Sequence, residues 1–339
     1  MSAKKFQPKI LALLCKWCTS AGADLAGVSR LVYPANILPI TVNCTGRIDP
    51  LFIIRGLENG ADGVLVSGCH EGDCHYVDGN IKAMKRFNFL KKILDEMGIG
   101  NRIMFEHISA SEGAKWARVT REFTETIRKL GPTPVKAGKK LTELYIDETY
   151  RKKHGIRDIL VSIAKRLKYD PKEPVFFDAD EVMEGYGFPK RDPEKCIGCY
   201  ACYSICPEQV ISVQDVEDKR RYGTLHASCV VCKECQKICP QEAIEVLPGF
   251  ELLSYLKKEP LWDIDVDLHE CSICKELFSP VPFVNELRRR ISAKNAEEAL
   301  NSLQIPFNPF TTCPSCRREA FAKAIAGVAQ PTLRIEEQT

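Results

Sequence analysis

The chain has 339 residues, 45% of them apolar and 27% charged, a globular composition that argues against wholesale disorder and leaves room for two or three domains. No stretch approaches the roughly 18 uncharged apolar residues of a membrane span. The apolar run 10–14 behind Lys4 and Lys5 is too short for a signal h-region, and no small-residue cleavage site follows it, so the chain reads as cytoplasmic.

Residues 7–131 alternate between strand and helix patterns. Candidate strands are 10–14, 37–43, 63–67 and 102–108, rich in Ile, Val and Leu as strands buried on both faces should be. A helix follows each. Asp49 is a cap for the second, with Pro50 in its first turn and Gly60 at its end. The third runs over 80–97, with Ile81, Met84, Leu90, Ile93 and Met97 on one face. The fourth opens on Ser109-Ala110-Ser111-Glu112, a capping-box pattern, and stops at Gly131-Pro132. Such alternation predicts a small open parallel α/β sheet. A helical connector is expected over 141–169 after a basic stretch at 136–140, then two short cysteine-rich modules, with a helix at 295–303 inside the last. The tail after Pro331 is expected to fray. The expected divisions are therefore 1–132, 133–187, 188–250, 251–330 and 331–339.

The 17 cysteines fall into three groups with none left over. In a cytoplasmic chain such fixed spacings point to metal rather than disulfides. A metal-bound thiol is deprotonated, so the formal charge of +3 misleads. Four four-thiolate centres would bring the loaded protein to on the order of −5. The charge is thus no argument for a nucleic-acid partner.

In the first group, Cys15 ends the first strand, Cys44 follows the second and Cys69 the third, with Cys18 and Cys74 in the loops just beyond. Loops at the carboxyl ends of parallel strands converge and bind ligands, so distant thiols should meet at one sheet edge. No G-x-G-x-x-G or P-loop pattern claims that edge for a nucleotide.

Five segments of this region occur in order: Cys15-Lys16-Trp17-Cys18 with Gly22-Ala23-Asp24-Leu25-Ala26-Gly27; Cys44-Thr45-Gly46-Arg47-Ile48-Asp49-Pro50; Gly60-Ala61-Asp62-Gly63-Val64; Gly68-Cys69-His70-Glu71-Gly72-Asp73-Cys74-His75-Tyr76; and Ser109-Ala110-Ser111-Glu112-Gly113. On these motifs, residues 7–132 resemble the delta subunit family of the methyl-viologen-reducing (F420-non-reducing) hydrogenase. The resemblance implies a [2Fe-2S] cluster and an electron adaptor that joins a hydrogenase or formate dehydrogenase to the flavin subunit of a heterodisulfide-reductase-type, electron-bifurcating complex. A [2Fe-2S] cluster needs four thiolates. Cys18, Cys44, Cys69 and Cys74 are taken as its ligands, with Cys15 as the alternative. A thioredoxin-like pair of Cys15 and Cys18 is the rival, but it leaves three thiols unexplained. His70 and His75 are expected to hydrogen-bond beside the ligands. Arg47 and Asp73 are expected to stabilise either these loops or the charged cluster.

The second group is explicit. Cys196, Cys199, Cys202 and Cys206-Pro207 repeat as Cys229, Cys232, Cys235 and Cys239-Pro240, each a C-x2-C-x2-C-x3-C-P run. In this ferredoxin pattern the fourth cysteine ligates the other cluster. One [4Fe-4S] cluster is therefore expected on Cys196, Cys199, Cys202 and Cys239, the second on Cys206, Cys229, Cys232 and Cys235. Two zinc sites would be the plainer alternative, but two complete runs, each followed by proline, argue against it. The third group, Cys271, Cys274, Cys313 and Cys316, forms two C-x-x-C knuckles that suit one tetrahedral structural zinc, with rubredoxin-like iron as alternative. Arg288-Arg289-Arg290 and Arg317-Arg318 are basic, but no aromatic stacking pattern accompanies them.

The sequence is thus expected to encode a non-catalytic electron-transfer subunit of a hetero-oligomeric complex, with a heterodisulfide-reductase-like flavoprotein and an electron-input or substrate oxidoreductase as partners. The alternative is an iron–sulfur reductase acting at the N-terminal cluster or the Cys15/Cys18 dithiol, with His70, His75 and Glu71 as its acid/base candidates.

Overall fold

The computed structural model of the protein describes residues 6–136, 155–178, 185–293 and 305–328. The helix expected at 295–303, the stretches 137–140 and 141–154, and the tail after Pro331 lie outside the described residues. The chain divides into two compact units, Met1–Tyr186 with Gly249–Lys258, and Gly187–Pro248 with Glu259–Thr339.

The first unit is an α/β fold. Its sheet strands are β1 (Ile10–Cys15), β2 (Ile37–Val42), β3 (Gly63–Gly68) and β4 (Ile103–His107), and its helices α1 (Thr19–Val28), α2 (Pro50–Glu58), α3 (Gly79–Glu96) and α4 (Gly113–Leu130). The strands pair in parallel in the order β2-β1-β3-β4. Strand residues alternate between two cores. Ile10, Ala12, Leu14 and Leu65 pack with Trp116, Phe123 and Ile127 on one face. Leu13, Val64 and Val66 pack with α2, α3 and α5 (Ile156–Leu167) on the other. The connector helix is therefore part of this core, closed by the short antiparallel pair of β5 (Phe176–Phe177) and β10 (Phe250–Glu251).

The punctuation of these helices follows the sequence reading closely. Asp49 accepts from Leu51 N–H at 2.8 Å, and Gly60, Gly98 and Gly131 end their helices at φ of +100°, +76° and +73°. Two expectations need correction. The fourth helix begins at Gly113, not within the Ser109–Glu112 box, and only the glutamate half of that box forms, Ser109 N–H donating to Glu112 Oε2 at 2.7 Å. The second strand is not buried on both faces: Leu38 and Ile40 are about half exposed, because the helices pack over the central strands and β2 is an edge.

Buried Arg102 ties the base of this unit together. Its guanidinium donates to the carbonyls of Asp62, Leu130, Gly131 and Pro132 at 3.0 to 3.2 Å. Arg102→Ala would leave these carbonyls without the cation. It is expected to destabilise the unit by about 3 kcal/mol, read as a lower denaturant midpoint for its unfolding transition. An unchanged midpoint would refute that role.

The second unit is built on antiparallel pairs. Strand β6 (Gly187–Arg191) pairs with β9 (Ile244–Pro248), and β7 (Ile211–Val216) forms a hairpin with β8 (Lys219–Thr224). Each cysteine run leads into a five-residue helix, α6 (Ala201–Ile205) and α7 (Glu234–Ile238). Long strand β11 (Leu261–Glu270) adds to β8, and β12 (Leu277–Pro280) to β11, giving the sheet order β12-β11-β8-β7. Ile264 and Val266 of β11 thereby share a core with Val210, Tyr222, Ile244, Val246, Cys202 and Cys235. Cys271 and Cys274 lie between β11 and β12, ahead of α8 (Val281–Ala293), while Cys313 precedes α9 (Pro314–Val328) and Cys316 lies in its first turn. None of the described helices is long and apolar enough to cross a membrane.

Candidate metal centres

Reversal of strand order between β1 and β3 creates a switch point at the carboxyl edge of the first unit's sheet, where open α/β sheets take ligands. Cys15 ends β1 and Cys69 follows β3, one on each side of it. Cys18 precedes α1. The sulfurs of Cys15, Cys18 and Cys69 lie mutually within 4.8 Å, Cys69 to Cys18 at 3.0 Å and Cys69 to Cys15 at 3.9 Å. Cys44, at the turn after β2, and Cys74 form a second group at the same edge, their sulfurs 3.9 Å apart. No disulfide joins these five thiols. Cys15, the alternative ligand in the sequence reading, is as intimately grouped as Cys18 and Cys69, and nothing in the packing sets it apart.

Such crowding has an electrostatic consequence. Cys18 holds the Cys15 thiol down to about 5, while Cys18 itself is pushed up by Cys15 and by burial. Burial also raises Cys44 and Cys69. Burial opposes ionisation of Cys74 too, but the N–H groups of Tyr76, Asn80 and Gly79 and the Cys44 thiol outweigh it and lower that thiol. The five cannot ionise together without a cation among them, which is the donor set a thiolate-held metal centre requires. Room for the thiols depends on Gly79, where a Cβ would stand 2.6 Å from Cys44 Sγ and 3.5 Å from Cys74 Sγ.

Several polar side chains around the thiols fix backbone. Fully buried Asn80 donates to the carbonyls of Cys69 and His70 at 3.1 and 2.7 Å, and His107 Nδ1 lies 2.6 Å from the Cys69 carbonyl. His70 pairs with Glu112 at 2.7 Å, whereas His75 stacks on Trp17 with ring centroids 4.1 Å apart. Arg47 and Asp73 make no ion pair among the described residues. Asn80, His107 and Gly79 were absent from the sequence reading. For His107 a signal existed, its place at the carboxyl end of β4; for Asn80 none did.

In the second unit two small cavities flank the core. One is lined by Cys196, Cys199, Cys202 and Cys239; the other by Cys206, Cys229, Cys232 and Cys235. Each cavity thus collects three thiols from one run and the fourth from the other. The two loops share a backbone. Gly198 and Val231, Tyr200 and Lys233, and Gln209 and Glu242 are matched residues with positive φ. Gly198 and Val231 turn their N–H groups onto Cys196 and Cys229. Such N–H donors around a thiol pocket suit a bound anionic cluster. The four C-terminal sulfurs also converge, all within 4.8 Å of one another, with Cys313 N–H on Cys271 Sγ at 3.3 Å and Cys316 N–H on Cys313 Sγ at 3.5 Å. Four thiols so gathered fit a closed tetrahedral site.

Residues 10–131 match the family described as methyl-viologen-reducing hydrogenase, delta subunit, and residues 195–243 match the 4Fe-4S dicluster domain. The chain is 51% identical over 131 residues to an iron-sulfur subunit of the F420-non-reducing hydrogenase of Archaeoglobus profundus, a match covering 38% of this chain and 96% of that protein. The chain belongs to the methyl-viologen-reducing hydrogenase delta subunit family. It is also 47% identical over 135 residues to a vhc iron-sulfur subunit of the F420-non-reducing hydrogenase of Methanococcus voltae (40% of this chain, 94% of that one). It is 41% identical over 142 residues to one subunit of the ferredoxin:CoB-CoM heterodisulfide reductase of Methanosarcina mazei, covering 42% of this chain but only 18% of that protein. The delta-subunit domain here is therefore followed by a 4Fe-4S dicluster domain and a C-terminal four-cysteine group, and the whole is an iron–sulfur electron-transfer subunit.

The delta-subunit domain carries a pH-sensitive corner. Glu112 is held at about 2, from an ordinary 4.5, first by the Ser109 N–H and then by His70. A depressed carboxyl stabilises the fold above its unfolded value and ceases to do so as pH falls toward the folded one. The Ser109–Glu112 corner is therefore expected to loosen between about pH 4.5 and 2. The protection factor of the Ser109 amide, its intrinsic exchange rate at each pH divided by the observed one, should fall across that window in the wild type and show no such step in Glu112→Gln. A step that survives the substitution would assign it to another group.

Proposed function

We propose that this chain carries electrons between a heterodisulfide-reductase-type flavin subunit of an electron-bifurcating complex and a hydrogenase, formate dehydrogenase or other oxidoreductase, in the reducing cytoplasm and without catalysing a reaction itself. Four donor sets serve it: a [2Fe-2S] site at the sheet edge drawing on Cys18, Cys44, Cys69 and Cys74 with Cys15 as alternative, two [4Fe-4S] sites in the crossed cysteine cavities, and a structural zinc on Cys271, Cys274, Cys313 and Cys316. The observation that carries the reading is the convergence of thiols at separate places along one polypeptide. The names of the relatives, hydrogenase subunits on one side and part of a heterodisulfide reductase on the other, supply the two classes of partner. Bound iron–sulfur clusters would supply one-electron carriage. The protein's own groups hold the thiols in place, bury them, and set the local charge.

Anaerobic purification should give a brown protein with about ten iron atoms and about one zinc. Its EPR signals should grow in as the potential is lowered, and flavoprotein and oxidoreductase subunits should co-purify from the native host. A colourless preparation that takes up neither iron nor sulfide would end the proposal. A reductase working through Cys15 and Cys18 would instead turn over a substrate alone with an artificial donor. Against it, Cys69 lies 3.0 Å from Cys18, where a dithiol pair has no use for a third sulfur.

A further inference from the structure

The two cysteine runs repeat at a fixed offset, Cys196 to Cys229, Cys199 to Cys232, Cys202 to Cys235 and Cys206 to Cys239, and their backbones match residue for residue at the positive-φ positions. The side chains break the symmetry. Five residues before the first cysteine, the first run has Arg191 at the end of β6, and the second has Thr224 at the end of β8. These equivalent residues meet, Arg191 Nη1 donating to Thr224 Oγ1 at 3.1 Å.

Arg191 is wholly buried. Nη1 is also spent on Asp263 of β11, at 2.8 and 2.7 Å from its two carboxylate oxygens. Nε and Nη2 are buried with no oxygen acceptor among the described residues. They sit at the wall of the first cavity: the guanidinium carbon lies 5.8 Å from the ring of Tyr222, which lines that cavity, and there burial pushes the Cys202 thiol up while the Arg191 charge partly offsets it. A buried cation with two idle donors is costly unless an anion receives them. Among the described residues the second cavity has no such buried cation in its lining. Its charged lining residues are Glu208 and Lys233, both exposed, and its Cys232 is exposed as well.

We propose that Arg191 directs its free N–H groups and its charge at the cavity of Cys196, Cys199, Cys202 and Cys239, so that the centre held there is the more easily reduced of the two. The proposal rests on the electron-carrier reading and deepens it. Cluster potential follows local charge, hydrogen bonds to sulfur and exposure. An electron arriving at the Cys206, Cys229, Cys232 and Cys235 centre, the one with an exposed cysteine, would then run downhill to the centre beside Arg191. Asp263 tempers the effect by partly cancelling the arginine's charge, which makes the pair testable in both directions.

The test is an EPR-monitored redox titration of the full-length, anaerobically loaded protein. In Arg191→Met, the reduced-to-oxidised ratio of one [4Fe-4S] centre at a fixed potential should fall about tenfold, equal to 59 mV for one electron, with the other centre unchanged. In Asp263→Asn the same ratio should rise. A brace that serves only folding would not move one potential in opposite directions. Unchanged or equally shifted centres in both variants overturn the proposal, and so does failure of both variants to retain iron, which would make the pair a folding element. A wild type without reducible centres would instead overturn the electron-carrier reading itself.

Discussion

Replacing Cys239 by serine is expected to free Cys196, Cys199 and Cys202, not its own neighbours in sequence. The cavity lined by the first three thiols takes its fourth from Cys239, and the cavity of Cys229, Cys232 and Cys235 takes Cys206. Losing one of four thiolates from a cubane site should cost the whole centre, a fall of about four iron atoms out of about ten. Alkylation of the anaerobic protein followed by mass spectrometry then reads which thiols have become free. Cys239→Ser should label Cys196, Cys199 and Cys202 while Cys206, Cys229, Cys232 and Cys235 stay protected, and Cys206→Ser should give the converse. Labelling of Cys229, Cys232 and Cys235 in Cys239→Ser would mean that each run holds its own centre and that the crossing is wrong.

The second large effect concerns the C-terminal four-cysteine site. Cys313→Ser is expected to release the single metal and to destabilise the second unit by about 4 kcal/mol or more, the range in which loss of a metal staple falls. That corresponds to about 10 °C in Tm for a unit of this size. The damage should spread. Strand β11 runs from the ferredoxin sheet directly into Cys271, and Pro280 at the end of β12 packs on Gly198 in the first cysteine run, where an added Cβ would stand 2.8 Å from the proline ring. Hydrogen exchange should therefore quicken in β11, β12 and α9, and the centre on Cys196, Cys199, Cys202 and Cys239 should become sensitive to chelators. Metal analysis distinguishes zinc from iron in the same preparation. Unaltered exchange in β11 after metal loss would show that the site does not brace the ferredoxin sheet.

What the sequence determined by itself was everything carried by local period and spacing. The four strands and their helices follow from apolar patterns and from Asp49, Gly60, Gly98 and Gly131, each of which acts within one turn of its own position. The crossed cysteine sets follow from two runs whose tight loops admit one arrangement. Convergence of the first five thiols followed from their places after parallel strands. Tertiary structure alone decided what depends on partners far away in the chain. Leu38 and Ile40 are apolar like any buried strand residue, and only their place on an edge leaves them exposed. Glu112 looked like half of a capping box until His70, 42 residues away, claimed it as well. Arg191 reads as an ordinary charge in a basic stretch. Its meaning comes from Asp263, 72 residues on, and from its own burial beside a thiol. Local pattern encodes which face of an element is apolar. Which charge that face meets is settled only when the elements pack, because the energy of a buried ion pair exists only once water has been excluded from between its partners.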